Sequence, residues 1–89
     1  MPGVDISIEM KAKYLERRKQ DYTDCLNAFI KSDFETFLRI GHQLKGNAAS
    51  FGFGDLGVIA ADMEQAAKIR DLPQIKIIVD KFEEFLKSK

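Results

Sequence analysis

One cysteine, one histidine and two prolines are all that this 89-residue chain holds of three residue types that often mark chemistry or constrain shape. Cys25 alone cannot close an intrachain disulfide. It falls among Tyr22, Leu26 and Phe29 at helical spacing and reads as a small core residue. One histidine and one distant cysteine do not form the clustered ligand set of a metal site, so no metal is expected. Excess charge of one sign is missing too: 14 Lys and Arg face 14 Asp and Glu, and the pI is near 6.6. A nucleic-acid binder normally carries a basic excess to neutralise phosphates, so that class is excluded. No apolar run approaches a membrane span, and the opening Met1-Pro2-Gly3-Val4-Asp5 has no basic stretch followed by an apolar one. The expectation is a cytoplasmic protein with no membrane partner. Gly52-Phe53-Gly54 lacks the lysine and the spacing of a phosphate-binding loop, so the chain is not expected to hold ATP or to act as a kinase.

What is present is ordinary for one small soluble domain: 45% apolar and 31% charged residues, near the size at which a single core just suffices. Nothing alternates with period two over a useful length, so strands are not expected. After a tail over about residues 1–7, apolar residues recur at spacings of three, four and seven: Tyr14, Leu15, Tyr22, Cys25, Leu26, Phe29 and Ile30. No glycine or proline interrupts the chain between Val4 and Ile40. One long helix is expected over about 8–31, continuous or broken near Gln20-Asp21. The charge run Glu16-Arg17-Arg18-Lys19 suits a solvated face.

Ser32-Asp33-Phe34-Glu35 then reads as a capping box, with Ser32 as the cap and Glu35 reaching back, or with Asp33 as the cap instead. The helix it opens, about 33–51, carries Phe34, Phe37, Leu38, Gly41, Leu44, Ala48 and Phe51 on one side, and Gly52 is free to end it at positive φ. Asp55 is the expected cap of a third helix, about 55–70, with Leu56, Ile59, Ala60, Met63, Ala66 and Ala67 inward. Asp71 caps a fourth, about 72–87, with Pro73 in its first turn and Gln74 in the box position. Its stripe is Ile75, Ile78, Val79, Phe82, Phe85 and Leu86. Connections of two to four residues favour antiparallel neighbours, so the expected architecture is an all-α, antiparallel up-and-down four-helix bundle.

The single histidine lies in Ile40-Gly41-His42-Gln43-Leu44-Lys45-Gly46-Asn47-Ala48-Ala49-Ser50-Phe51-Gly52. At about 100° per residue, His42 stands roughly 120° from the centre of the apolar stripe, at the border of the core or outside it. Leu38, Lys45 and Gly46 share its strip about a turn away, and Ala49 about two turns on. Glycine inside a helix costs about 1 kcal/mol relative to alanine, so Gly46 needs a reason. A missing side chain there opens the imidazole to a bulky visitor, and Ala49 continues the clearing; close helix packing is the other reading. A neutral imidazole carries a lone pair on one ring nitrogen and is a competent nucleophile toward phosphorus, and Lys45 would offset the charge a phosphoryl group brings. Taken singly, a lone histidine is more often a surface or boundary residue, and a lone lysine a surface lysine. Their grouping on one strip is what favours chemistry.

His42-Gln43-Leu44-Lys45-Gly46, with Ala48-Ala49 and Gly52 after it, resembles the His-x-Leu-Lys-Gly motif of histidine-containing phosphotransfer domains. The likeness extends over about Asp21 to Leu86: Ser32-Asp33-Phe34-Glu35 stands where the family has a Gly-Asp-Phe-Glu type turn, and Leu56, Met63-Glu64 and Ala66-Ala67 resemble the helix after the motif. The resemblance implies a stoichiometric phosphocarrier of a multistep two-component phosphorelay, not an enzyme. His42 would be the phosphoacceptor, Lys45 the cation beside the phosphate and Gly46 the gap that admits the partner. Arg39, Gln43 and Ala49 would border the docking surface. The implied partners are a response-regulator receiver domain, a hybrid histidine kinase, or both. The receiver would supply the acidic pocket and the Mg²⁺, so no cofactor is expected on this chain. Two departures stand out: Gly41, expected to loosen the helix locally, and Ser32 in place of the more usual glycine. A monomer is expected, as a free protein or as a piece of a larger kinase. The competing expectation is a bundle of the same kind that binds a receiver or kinase and blocks it, with His42 unused.

Overall fold

The computed structural model describes residues 7–89, and most of the expected tail lies outside them. Helix α1 runs unbroken over Ile8–Lys31, α2 over Phe34–Asn47, α3 over Gly54–Lys68 and α4 over Leu72–Lys87. A single 3-10 turn, Ala49–Phe51, separates α2 from α3, and there are no strands among the described residues. The absence of glycine and proline from the first helical stretch is the local reason α1 has no break at Gln20-Asp21. Ser7 caps it by accepting from the Met10 amide at 3.0 Å.

Two helix ends use the same device. Ser32 closes α1 in the left-handed region at φ 53°, and Arg70 follows α3 at φ 55°. In each case the next residue is an aspartate that bonds back five residues: the Asp33 amide donates to the Ala28 carbonyl at 2.8 Å, and the Asp71 amide to the Ala66 carbonyl at 3.0 Å. The same aspartates then cap the following helices, Asp33 accepting from the Thr36 amide and Asp71 from the Gln74 amide. Of the two possible caps for α2, Asp33 is therefore the cap. Ser32 is spent on ending α1.

Three local expectations need correction. The regular part of α2 stops at Asn47 rather than near Phe51, and the chain tightens into the 3-10 turn before Gly52 reverses it at φ 87°. Asp55 does not cap α3. The helix begins one residue earlier, with Phe53 at the cap position and no side-chain cap bond. The cause is burial: the Phe53 amide donates to the Ala48 carbonyl at 2.9 Å, and its ring packs edge-on against Phe85, 5.6 Å away. Asp55 is left in the first turn, where a carboxylate suits the helix dipole. Finally, Leu26 and Ile30 continue the apolar spacing of α1 but are exposed, while Ala28 between them is buried.

The core draws little from α1 (Tyr14, Cys25 and Ala28) and much from the other helices. Phe37, Ile40 and Leu44 of α2 meet Leu56 and Met63 of α3 and Ile75, Ile78 and Phe82 of α4, all at 2% exposure or less. Each such side chain contributes about 1.5–3 kcal/mol through burial. Helices α2 and α3 make the most extensive pair. This close pair positions the site.

Candidate functional site

The reason α2 and α3 lie so close is Gly41. A Cβ placed on it would stand 2.8 Å from the Glu64 backbone nitrogen and 2.9 Å from the Ala60 carbonyl oxygen. Only hydrogen fits at that crossing. Gly41 is thus a contact glycine that lets two backbones touch, not a residue that loosens the helix. The surrounding helix is regular, and Gly41 is buried within it.

The residue after this contact is His42, and the residue opposite is Glu64, so the close approach delivers a carboxylate to the histidine. The imidazole is open to solvent, its side chain 71% exposed, whereas the Glu64 side chain is 12% exposed. The two oxygens of Glu64 serve different partners: Oε2 lies 3.0 Å from His42 Nδ1, and Oε1 lies 2.6 Å from Lys45 Nζ. Lys45 holds the Glu64 carboxyl below the usual carboxylate range, opposed by partial desolvation and aided by His42 and by the charge of Lys68 one turn along α3. An ionised carboxylate only accepts, so Nδ1–H must donate to Oε2. In the neutral ring the lone pair is then on Nε2, the nitrogen pointing away from Glu64.

The other residues of the strip divide clearly. Gly46 is exposed, and a Cβ built on it would meet nothing within 4 Å. Close packing is therefore not the reason for this glycine. Ala49, Arg39 and Gln43 are exposed on the same helix and the turn after it, and Leu38 is half-buried. The lower end of the strip is pinned by Tyr14, whose hydroxyl donates to Asn47 Oδ1 at 2.6 Å while its ring stacks on Phe51 at 4.3 Å. Cys25 plays no part here. It is fully buried, and burial pushes its thiol up to about 12.

Glu64 is the residue of this cluster that the sequence marks only as part of the helix resembling the family, and the structure brings it to His42 and Lys45. A signal was present: it stands four residues after Ala60 at the edge of the α3 stripe, where an apolar residue would continue the pattern. A carboxylate in that position asks for a partner across the interface.

A family model described as Hpt domain matches residues 9–87, nearly the whole chain. The chain belongs to the Hpt domain family. Its four helices without strands among the described residues agree with a four-helix Hpt bundle. Family membership supports a role in phosphorelay histidine phosphotransfer, and Hpt domains are phosphocarrier modules that interact with receiver domains and histidine kinases. No curated protein and no solved structure was found to match the chain. None of the described helices is long and apolar enough to cross a membrane.

Proposed function

We propose that this protein is a stoichiometric carrier in a cytoplasmic two-component phosphorelay, with His42 Nε2 as the atom that carries the phosphoryl group. The observation that carries the reading is the bond from Nδ1–H of an exposed imidazole to the Glu64 carboxylate, which leaves the Nε2 lone pair facing solvent. A receiver domain brings the phosphoryl group as an aspartyl phosphate, together with its own acidic pocket and Mg²⁺. The Nε2 lone pair forms the N–P bond as the P–O bond to the aspartate breaks, and that electron pair leaves with the carboxylate. The ring becomes cationic and keeps its proton on Nδ1, hydrogen-bonded to Glu64, so no base is needed to remove a proton.

Lys45, one turn from His42, offsets the incoming negative charge. Gly46 leaves the room a receiver needs to bring its aspartate to Nε2, and Arg39, Gln43 and Ala49 border the contact. The carrier acts as a monomer and needs no ATP site, since phosphate enters and leaves by the same atom. An antiparallel up-and-down course for the helices is supported by two contacts between α1 and α4. Leu15 shares a hollow with Leu86, and Tyr22, further along α1, meets Phe82, earlier in α4, at 5.9 Å.

The test is direct. The purified domain is incubated with a phosphorylated receiver and scored for acid-labile phosphate. Label should appear on the wild type and vanish in His42→Gln while the helical circular dichroism signal persists. Absence of label with every cognate receiver would sink the proposal and leave the blocking module.

A further inference from the structure

In the resting protein the cation assigned to the phosphoryl group is already occupied. Lys45 Nζ sits 2.6 Å from Glu64 Oε1, and the other oxygen of the same carboxylate holds His42 Nδ1 at 3.0 Å. Phosphorylation changes both partners of Glu64 at once. The new N–P bond makes the imidazole a cation, which strengthens the Nδ1–H bond to Oε2. The phosphoryl oxygens bring about two negative charges within reach of Lys45 and compete with Oε1 for it. An imidazolium and an ammonium on the same carboxylate also repel each other, as a neutral ring and an ammonium do not.

From this we infer that Glu64 is a positioning residue that exchanges ion pairs during transfer: it gives up Lys45 to the phosphoryl group and takes the imidazolium in its place. The inference rests on the phosphocarrier reading and adds the residue that sets how far transfer proceeds. Before transfer, Glu64⁻ pairs with Lys45⁺ beside a neutral ring. After it, Glu64⁻ pairs with the ring cation, and Lys45⁺ pairs with the phosphoryl anion. The ring cation and one of the two phosphoryl charges each find a partner in this exchange, and no proton enters or leaves. Lys68, whose charge acts on Glu64 from one turn along α3, belongs to neither pair. The exchange has a cost, because Lys45 must leave a short contact before it helps. That cost holds the phosphohistidine below the stability that the same lysine would give it if free. A carrier that must hand its phosphate on benefits from that restraint.

The exchange predicts a coupling that a merely structural Glu64 would not produce. The measured quantity is the share of domain phosphorylated at equilibrium with a phosphorylated receiver. The variants are wild type, Lys45→Met, Glu64→Gln and the double variant. Lys45→Met should lower the share in both backgrounds, and by at least about threefold more in the Glu64→Gln background, where Lys45 has no anion to leave. In parallel, the Lys45 ammonium resonance of the wild type should shift on phosphorylation, reporting its change of partner. Glu64→Met, which keeps the side-chain volume, gives a second background with the same expectation should the glutamine variant fold poorly. An equal or smaller loss in the Glu64 backgrounds, or an ammonium resonance that stays put on phosphorylation, overturns the exchange. A wild type that takes no phosphate at all fails the carrier reading instead, so the two failures are told apart.

Discussion

Two glycines five residues apart on α2 do opposite things. Gly41 faces the α3 backbone so closely that a methyl group would clash with Glu64 N and Ala60 O, whereas Gly46 faces open space. Both weaken the helix by the same local entropy, about 1 kcal/mol each relative to alanine. At Gly41 the loss is offset by a tight interhelical contact that places Glu64 under His42. At Gly46 no such contact offsets it, which fits the proposed role of leaving room for a receiver. A glycine's meaning is therefore set by what lies across from it, and spacing along the helix does not reveal that.

The largest expected effect comes from filling the open position. Gly46→Gln should remain folded, yet transfer from a receiver should fall by about tenfold or more, since a side chain one turn on would stand beside Nε2. Unfolding, with transfer intact in the folded fraction, would make Gly46 a packing residue and erase the contrast. Next in size is the same alanine change made at both glycines, read by chemical denaturation. Gly41→Ala should destabilise by about 1–3 kcal/mol, because the contact atoms are backbone and cannot swing aside. Gly46→Ala should stabilise by about 0.5–1 kcal/mol. Equal signs at the two sites would refute the comparison. The smallest effect belongs to the turn that leads into α2. Ser32 is held at φ 53°, so Ser32→Gly should raise stability by at most about 1 kcal/mol, whereas Asp33→Ala should cost about 1 kcal/mol through loss of the cap. The reverse result would return the cap to Ser32.

The regions of the chain differ in how far they could be read. Stripes such as Ile75, Ile78, Val79, Phe82 and Phe85 are visible because a helix that buries one face must repeat apolar residues every three or four positions. Asp71 and Gln74 mark the start of α4 for an equally local reason, an amide needing an acceptor. Local rules failed where a distant residue intervened. Phe53 began α3 early because Phe85 and Ala48 drew it inward. Leu26 and Ile30 kept the helical spacing yet stayed exposed, because α1 contributes few buried residues to the core.

By itself, the sequence determined that His42, Lys45 and Gly46 share one strip of a helix, because their spacing and the helical repeat leave no other arrangement. It also placed the histidine off the apolar stripe. Only the tertiary structure decided what stands opposite. The pairing of His42 and Lys45 on Glu64 spans two helices and depends on how closely they approach, a distance fixed by side-chain volumes at the crossing and, above all, by the missing side chain at Gly41. A helical repeat orders residues around one axis, whereas the separation between two axes belongs to packing.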